Sequence, residues 1–440
     1  MIDFYRILDN SIIFSILIYC VTFLFSDTIG YTFIRIAFIL GFIKILIYND
    51  IYFNWDFLKK YLKPIIIFFC VIFLSIIIHG FEYISILQYE RLIKAIIPFI
   101  TVLFFVSNKK HICWMILLLF LGMIINDFYA LYDYVVNHNY RTNGIDMGIL
   151  YFAGILLLQL PMLLINIINK NITCYQKLVL YFLLLLTLFT IYTNGSRMPW
   201  LISIIDILFI IFICIKSWYK KFFVFLGVIL VLVSMYIFNS NVNTKINNLF
   251  NTNDISTRGH YFYLKDGFNL FLNNKIIGVG LDNFKYALIE NNAISKESLE
   301  NLKQDFHAEI NGQYVIPHAH NDIIMFLSEL GILGGVAYLY MFGSIAIQTL
   351  KEWYSSNNIY ALSIFLMTIN IFFRGLFDYN IANLGVISVY FFLFSIYLKY
   401  NYVIESNIKY IIDKKYILSI YGIFIFINLL SGIIKYLFYC

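Results

Sequence analysis

The sequence predicts an all-α, polytopic transmembrane helix bundle with a helical cap on one side. Three observations carry that prediction. The 440-residue chain is 61% hydrophobic and only 13% charged, whereas soluble domains are roughly half apolar and one-quarter charged. Apolar runs long enough to cross a bilayer recur along its whole length. A single long polar stretch, 239–320, interrupts them.

In order, the apolar runs are 11–27, 30–48, 64–79, 91–107, 112–135, 146–167, 176–193, 199–216 and 221–238. After the polar stretch come 321–349, 358–375 and 384–400. This makes about 12 spans. A last run, 416–437, is a thirteenth span or lies partly at the interface. The first run follows no basic region and precedes no cleavage site, so it is expected to be retained as a helix. The chain then divides into N-terminal transmembrane helices (1–238), a large loop (239–320) and C-terminal transmembrane helices (321–440), within one integral membrane domain.

Charge sets the orientation. Alternate loops hold Lys59, Lys60 and Lys63, then Lys109 and Lys110, Lys170 and Lys177, Lys216, Lys220 and Lys221, Lys351, and Lys399 onward. The opposite loops carry Glu82 and Glu90, Arg141, Arg197, and Arg374 with Asp378. By the positive-inside rule the lysine side is cytoplasmic and the long loop faces outward. The chain has only seven arginines, and Arg141, Arg197, Arg258 and Arg374 fall near the outer face. Each alone reads as a side chain reaching lipid headgroups. Together they suggest an anionic ligand, because guanidinium groups grip phosphate in a planar, two-pronged manner. The net charge of +6 comes with no basic stripe, so nucleic acid is not a partner. No cysteine lies in 239–320 and no Cys-x-x-Cys occurs, so no disulfide is expected in the loop.

Within the loop, Tyr261, Phe262, Leu264, Phe268 and Phe271 recur at helical spacing after Ser256-Thr257. They predict an amphipathic helix lying on the bilayer surface or on the bundle. Gly278-Val279-Gly280 predicts a turn, and 291–310 a further polar helix.

Candidate chemistry clusters at the loop's edges. Gly195 and Pro199 predict a tight outer turn that holds Arg197 at the surface. The stretch Pro317-His318-Ala319-His320-Asn321-Asp322 opens the next apolar helix, with Asn321 and Asp322 as N-cap candidates. A histidine at that junction titrates near neutral pH and suits a general base, although both histidines can also simply cap and pack. Their spacing to Asp322 and Asp378 forms no recognisable metal set, so no metal or other cofactor is expected. Asp378, four residues after Arg374, reads equally as an ion pair or a working carboxylate. There is no nucleotide-binding Gly-rich lysine loop, no cytoplasmic Asp-x-Asp and no nucleophile elbow. The substrate must therefore arrive already activated. A glycan on a polyprenyl diphosphate fits, with its tail in the bilayer and its diphosphate at the arginines.

At these residues the chain resembles the O-antigen ligase and polymerase superfamily of bacterial envelope glycosyltransferases. His320-Asn321, nine residues, then Gly331-Ile332-Leu333-Gly334 is its most specific piece. The Gly195-Ser196-Arg197 turn with Trp200, the stretch from Thr257-Arg258 to Phe284, and Gly375-Leu376-Phe377-Asp378 also resemble family motifs. Met198-Pro199 departs from the commoner glycine after the arginine. The resemblance implies a bacterial inner-membrane enzyme with its site facing the periplasm. It would carry out metal-independent, inverting transfer of a glycan from undecaprenyl diphosphate. In the ligase branch the acceptor is a lipid A–core sugar; in the polymerase branch it is a second lipid-linked glycan. By the same resemblance, His320, Arg197 and Arg258 would be catalytic, with Arg141, His318, Asn321, Asp378 and Arg374 binding substrate. The Arg141 loop and the late Asp378 favour the ligase branch. A lipid-linked glycan transporter is the alternative of another class; Asp127, Asp133, Asp206 and Glu329 are its candidate residues.

Overall fold

Side-chain caps mark where the chain becomes helical. Asn108 accepts the N–H of Lys110 (2.9 Å), and Asn321 accepts that of Ile324 (3.0 Å). Thr173 and Gln176 form a capping box, and Asn358 accepts from Tyr360 and Ala361. The computed structural model describes residues 2–48, 55–214, 216–238, 243–244, 247, 255–304, 309–310, 313–380 and 383–405. Its helices are α1 (Ile2–Thr22), α2 (Asp27–Tyr48), α3 (Trp55–Ile78), α4 (Tyr83–Phe105) and α5 (Lys109–Val136). Next come α6 (Ile149–Ile168), α7 (Cys174–Asn194), α8 (Arg197–Cys214), α9 (Trp218–Phe238) and α10 (Ile255–Asn273). The last are α11 (Phe284–Glu290), α12 (Lys296–Gln304), α13 (Asp322–Ser356), α14 (Ile359–Gly375) and α15 (Leu384–Glu405). The one strand pairing among the described residues is two residues long, Glu309–Ile310 with Gln313–Tyr314. The fold is all-helical, as predicted.

Among the described residues, eight helices are long and apolar enough to cross a bilayer: α1, α2, α3, α5, α6, α7, α13 and α15. The expected larger number counts four more. Of these, α14 is apolar but only 17 residues long, and α4 carries Glu90, Arg91 and Lys94. The other two are α8 and α9. The run 416–437 lies outside the described residues.

Contacts sort the loops to two ends. At one end Lys60 pairs with Glu352 (3.7 Å), Asn358 donates to Asn401 (3.0 Å) and Lys109 lies over the Tyr400 ring. At the other end Arg197 meets Thr257, Arg374 meets Asp378, and the His79 ring meets the Gly278 carbonyl (3.3 Å). Between them the bundle is packed with aromatic rings; Phe99 on α4 stacks on Phe394 of α15 at 5.8 Å.

The decisive departure from a simple bundle is inside α13, which the sequence predicts as one continuous span. Gly331 there adopts φ 68°, ψ −165°, a region only glycine occupies readily. The ladder breaks, and the turn segment 275–280 fills the gap. Val279 N–H donates to Ser328 O (3.0 Å), Gly280 N–H to Glu329 O (2.8 Å) and Ile332 N–H to Lys275 O (2.9 Å). Backbone groups freed by the break are thus re-satisfied, as burial demands. A Cβ on Gly331 would sit 2.2 Å from Ile276 O.

Past the break the two halves of α13 turn back toward each other. The Tyr338 hydroxyl donates to Asp322 Oδ2 at 2.8 Å, and the Phe326 and Tyr338 rings lie 4.9 Å apart. In a straight helix Asp322 and Tyr338 would be ~24 Å apart. The short first half, 322–330, is therefore re-entrant. Cap helix α10 runs beside it, with His260 against His320 and Gly267 against Ala319 and Ile324.

Candidate active site

Four separate turns converge at the end of the bundle where Arg197 meets Thr257. Gly195 ends α7 in the left-handed conformation (φ 68°), and α8 starts two residues later at Arg197. Trp200 locks the turn by donating Nε1–H back to Ile191 O (2.8 Å) and stacking on Tyr192. Pro199 sits in the first helical turn, where a missing N–H costs nothing. Half-buried Arg197 donates from Nη1 to Thr257 Oγ1 (3.3 Å) in the first turn of α10.

The second turn carries Arg141. Thr142 bonds Thr193 through backbone (3.2 Å) and hydroxyls (3.0 Å), and Asn194 donates to Thr142 O (2.9 Å). The Arg141 loop is thereby laced to the Arg197 turn, with Arg141 itself exposed.

The third is the histidine segment. His320 has φ 51°, uncommon for a residue with a Cβ. Asn321 caps α13 and donates Nδ2–H to Leu376 O (2.9 Å), fastening α13 to the end of α14. Asp322, the other N-cap candidate, is instead the first helical residue. It is buried and accepts from Tyr338 and from both nitrogens of Asn380.

The fourth is the end of α14. Arg374, 2% exposed, spans Asn380 Oδ1 (2.8 Å), Leu150 O (2.9 Å) and Asp378 Oδ2 (3.2 Å). It is turned into the protein and holds Asp378 in place. Asp378 Oδ1 lies 3.9 Å from His320 Nδ1.

Three of the chain's seven histidines meet here. The His320 ring touches His318 at 4.1 Å and His260 at 4.2 Å between centroids, both edge to face, and Tyr263 lies parallel at 6.1 Å. The Nδ1 atoms of His318 and His320 are buried without a hydrogen-bond partner. Burial, then the neighbouring His318 and His260, pushes the His320 imidazole down to about 2. Burial also lowers His318 and His260, with Arg197 adding to the effect on His260 and Asp378 opposing it on both. All three imidazoles are shifted toward the neutral form. Among the described residues no group of three or more His, Cys, Asp or Glu is arranged to hold a metal ion.

Residues 182–339 match the family model described as O-antigen ligase. Over this segment the chain is similar to the O-antigen ligase superfamily. No curated protein matches the chain. The ligase-family segment runs from α7 to just past Tyr338, so it contains the Arg197 turn, α10, the histidine segment and the re-entrant half of α13. Arg141, Arg374 and Asp378 lie outside it and reach the same place through the fold.

The structure brings together His320, His318, Asn321, Asp378 and Arg374, and joins Arg197 to them through Thr257 and His260. Arg258 shares the first turn of α10 with Thr257 and His260. Positions two apart on a helix point to different sides, so Arg258 does not share His260's face. His260 and Tyr263 escape sequence reasoning. Their only signal is proximity to Thr257-Arg258, because nearly sixty residues separate them from the histidines they meet.

Proposed function

We propose that this membrane glycosyltransferase of the O-antigen ligase and polymerase family moves a glycan from undecaprenyl diphosphate to a sugar hydroxyl. The reaction takes place at the periplasmic face of the bacterial inner membrane. The observation that carries this reading is the meeting of His320 with Asp378 on one side and, edge to face, with a histidine that neighbours Arg197 on another.

In this reading the acceptor hydroxyl approaches His320 Nε2, since Nδ1 is buried on the Asp378 side. The acceptor oxygen attacks the anomeric carbon from the face opposite the diphosphate. The carbon–oxygen bond to the diphosphate breaks with inversion, and the hydroxyl proton passes to His320. Charge growing on the leaving diphosphate is met by Arg197, with Arg258 and exposed Arg141 at the rim. Asn321, His318 and Asp378 fix the base, and Arg374 fixes Asp378. The ligase reading places lipid A–core in the acceptor position. A polymerase would place a second lipid-linked glycan there and use the same residues.

The test is purified full-length protein with a lipid-linked glycan and, in separate reactions, lipid A–core or a second lipid-linked unit. Transfer to lipid A–core alone is the expected result. His320→Ala should lower it ~10²–10⁴-fold while membrane insertion is unchanged. Undiminished transfer by that variant would remove the base from the mechanism.

A further inference from the structure

Helix α10 buries one side and exposes an apolar stripe on another. Tyr263, Gly267 and Leu270 are buried, and Gly267 packs against Ala319 and Ile324 beside the re-entrant half of α13. Tyr261, Phe268 and Leu272 expose 65%, 41% and 42% of their surface, with Leu264 between them. At 3.6 residues per turn these four fall within an arc of roughly 80°. The next arc holds Arg258, Lys265 and Asn269. Facing water, the stripe would be an unexplained apolar surface. Bordered by cations, it has the cross-section of a helix lying at a bilayer interface.

Two further observations fix what covers it. First, the stripe does not stop at the end of α10. Exposed Ile276 and Ile277 continue it, and the Lys275–Ile332 backbone bond joins it to Ile332, Leu333 and Val336, the exposed apolar face of membrane-spanning α13. Second, its level is marked. Gly278 meets His79, directly beyond the last residue of α3, and from that level α10 runs alongside the folded-back half of α13 to His320.

We infer that the exposed stripe of α10 is immersed in the outer leaflet, in contact with phospholipid acyl chains, so that the bilayer itself holds His260 against His320. The cap is then a part of the membrane-facing wall, at the height of lipid headgroups, rather than a lid standing in water. This inference does not depend on the reaction assigned above.

Phe268→benzoylphenylalanine, Leu272→benzoylphenylalanine and, as the polar-arc control, Asn269→benzoylphenylalanine test it. Each is made in the full chain and irradiated in vesicles of phosphatidylethanolamine and phosphatidylglycerol. Mass spectrometry should find phospholipid adducts at 268 and 272 several-fold more often than at 269. Equal yields at all three positions would place the stripe in water. Predominant protein–protein adducts at 268 and 272 would mean that a second copy covers it. Either result overturns the inference. Leu264→benzoylphenylalanine, in the same stripe, must follow 268 and 272 if the surface is continuous.

Discussion

Two polar clusters are built on opposite plans. In the middle of the bundle Asp127 of α5 accepts from Gln159 of α6 (2.6 Å) and Thr187 of α7 (2.8 Å). Asp206 of α8 accepts from Asn370 of α14 (2.7 Å), which also donates to Leu157 O (3.0 Å). Every one of these bonds crosses between helices, and the donors are amides and a hydroxyl. At the end where Arg197 meets Thr257 one carboxylate, Asp378, stands among Arg374 and three imidazoles, with Arg197 beyond them. The inner plan ties helices together, as interhelical hydrogen bonds do in membranes. The other plan gathers two guanidinium groups and three imidazoles about one carboxylate. A transporter needs ionisable residues along a midplane path. Here Asp127 and Asp206 are engaged by neutral partners, and the histidines gather with Asp378 at one end, which favours group transfer over transport.

The comparison breaks most visibly at the guanidinium of Arg197. Arg197→Ala should reduce transfer ~10²–10³-fold, the cost of losing one preorganised donor to a leaving charge. Lysine at the same position should restore only part, because it lacks the planar fork. Asp206→Asn, nearly isosteric and still able to bond Asn370, should leave turnover close to normal. Transfer lost equally in both variants would erase the distinction between fastening and reaction site.

A second prediction concerns the scaffold. Gly331→Ala forces a Cβ into a backbone region that costs ~1–3 kcal/mol for other residues, and into the Ile276 carbonyl besides. The variant should unfold at a lower temperature in detergent and lose the α10–α13 contact. A deletion made elsewhere in α13, such as Leu339→Ala on its exposed face, should change the midpoint little. Equal shifts would mean the break is not what anchors the cap.

Much of this architecture is legible in the sequence because hydropathy and charge act locally. Run length marks the helices, and the sorting of lysine from arginine marks the two ends. Gly195 and Asn321 announce their turns through the conformations they permit. The rest depends on distant meetings. Gly331 reads as a tolerated glycine in a span until segment 275–280 is seen to occupy the broken ladder. Arg374 reads as a ligand-binding cation until it is found buried across Asn380, Leu150 and Asp378. Asp322 reads as a cap until Asn380 and Tyr338 claim it. His260 has no local signature at all; only the packing of α10 on the re-entrant helix gives it a neighbour.

The smallest expected effect is also the one that best separates a working His260 from a merely packed one. His320 must be neutral to accept a proton, so kcat/KM falls only where the free protein protonates it. Its folded value lies below the ordinary imidazole value of 6.5, first through burial and then through His318 and His260. The acid limb of the profile should therefore lie well below that of an ordinary histidine, with rates level across neutral pH. His260→Gln removes one depressing neighbour, so the His320 value rises and the limb moves toward higher pH. Asp378 opposes the lowering at both His318 and His260, so Asp378→Asn should not reproduce that upward movement. A His260→Gln profile that drops in height without moving along the pH axis would reduce His260 to packing and leave His320 to work without it.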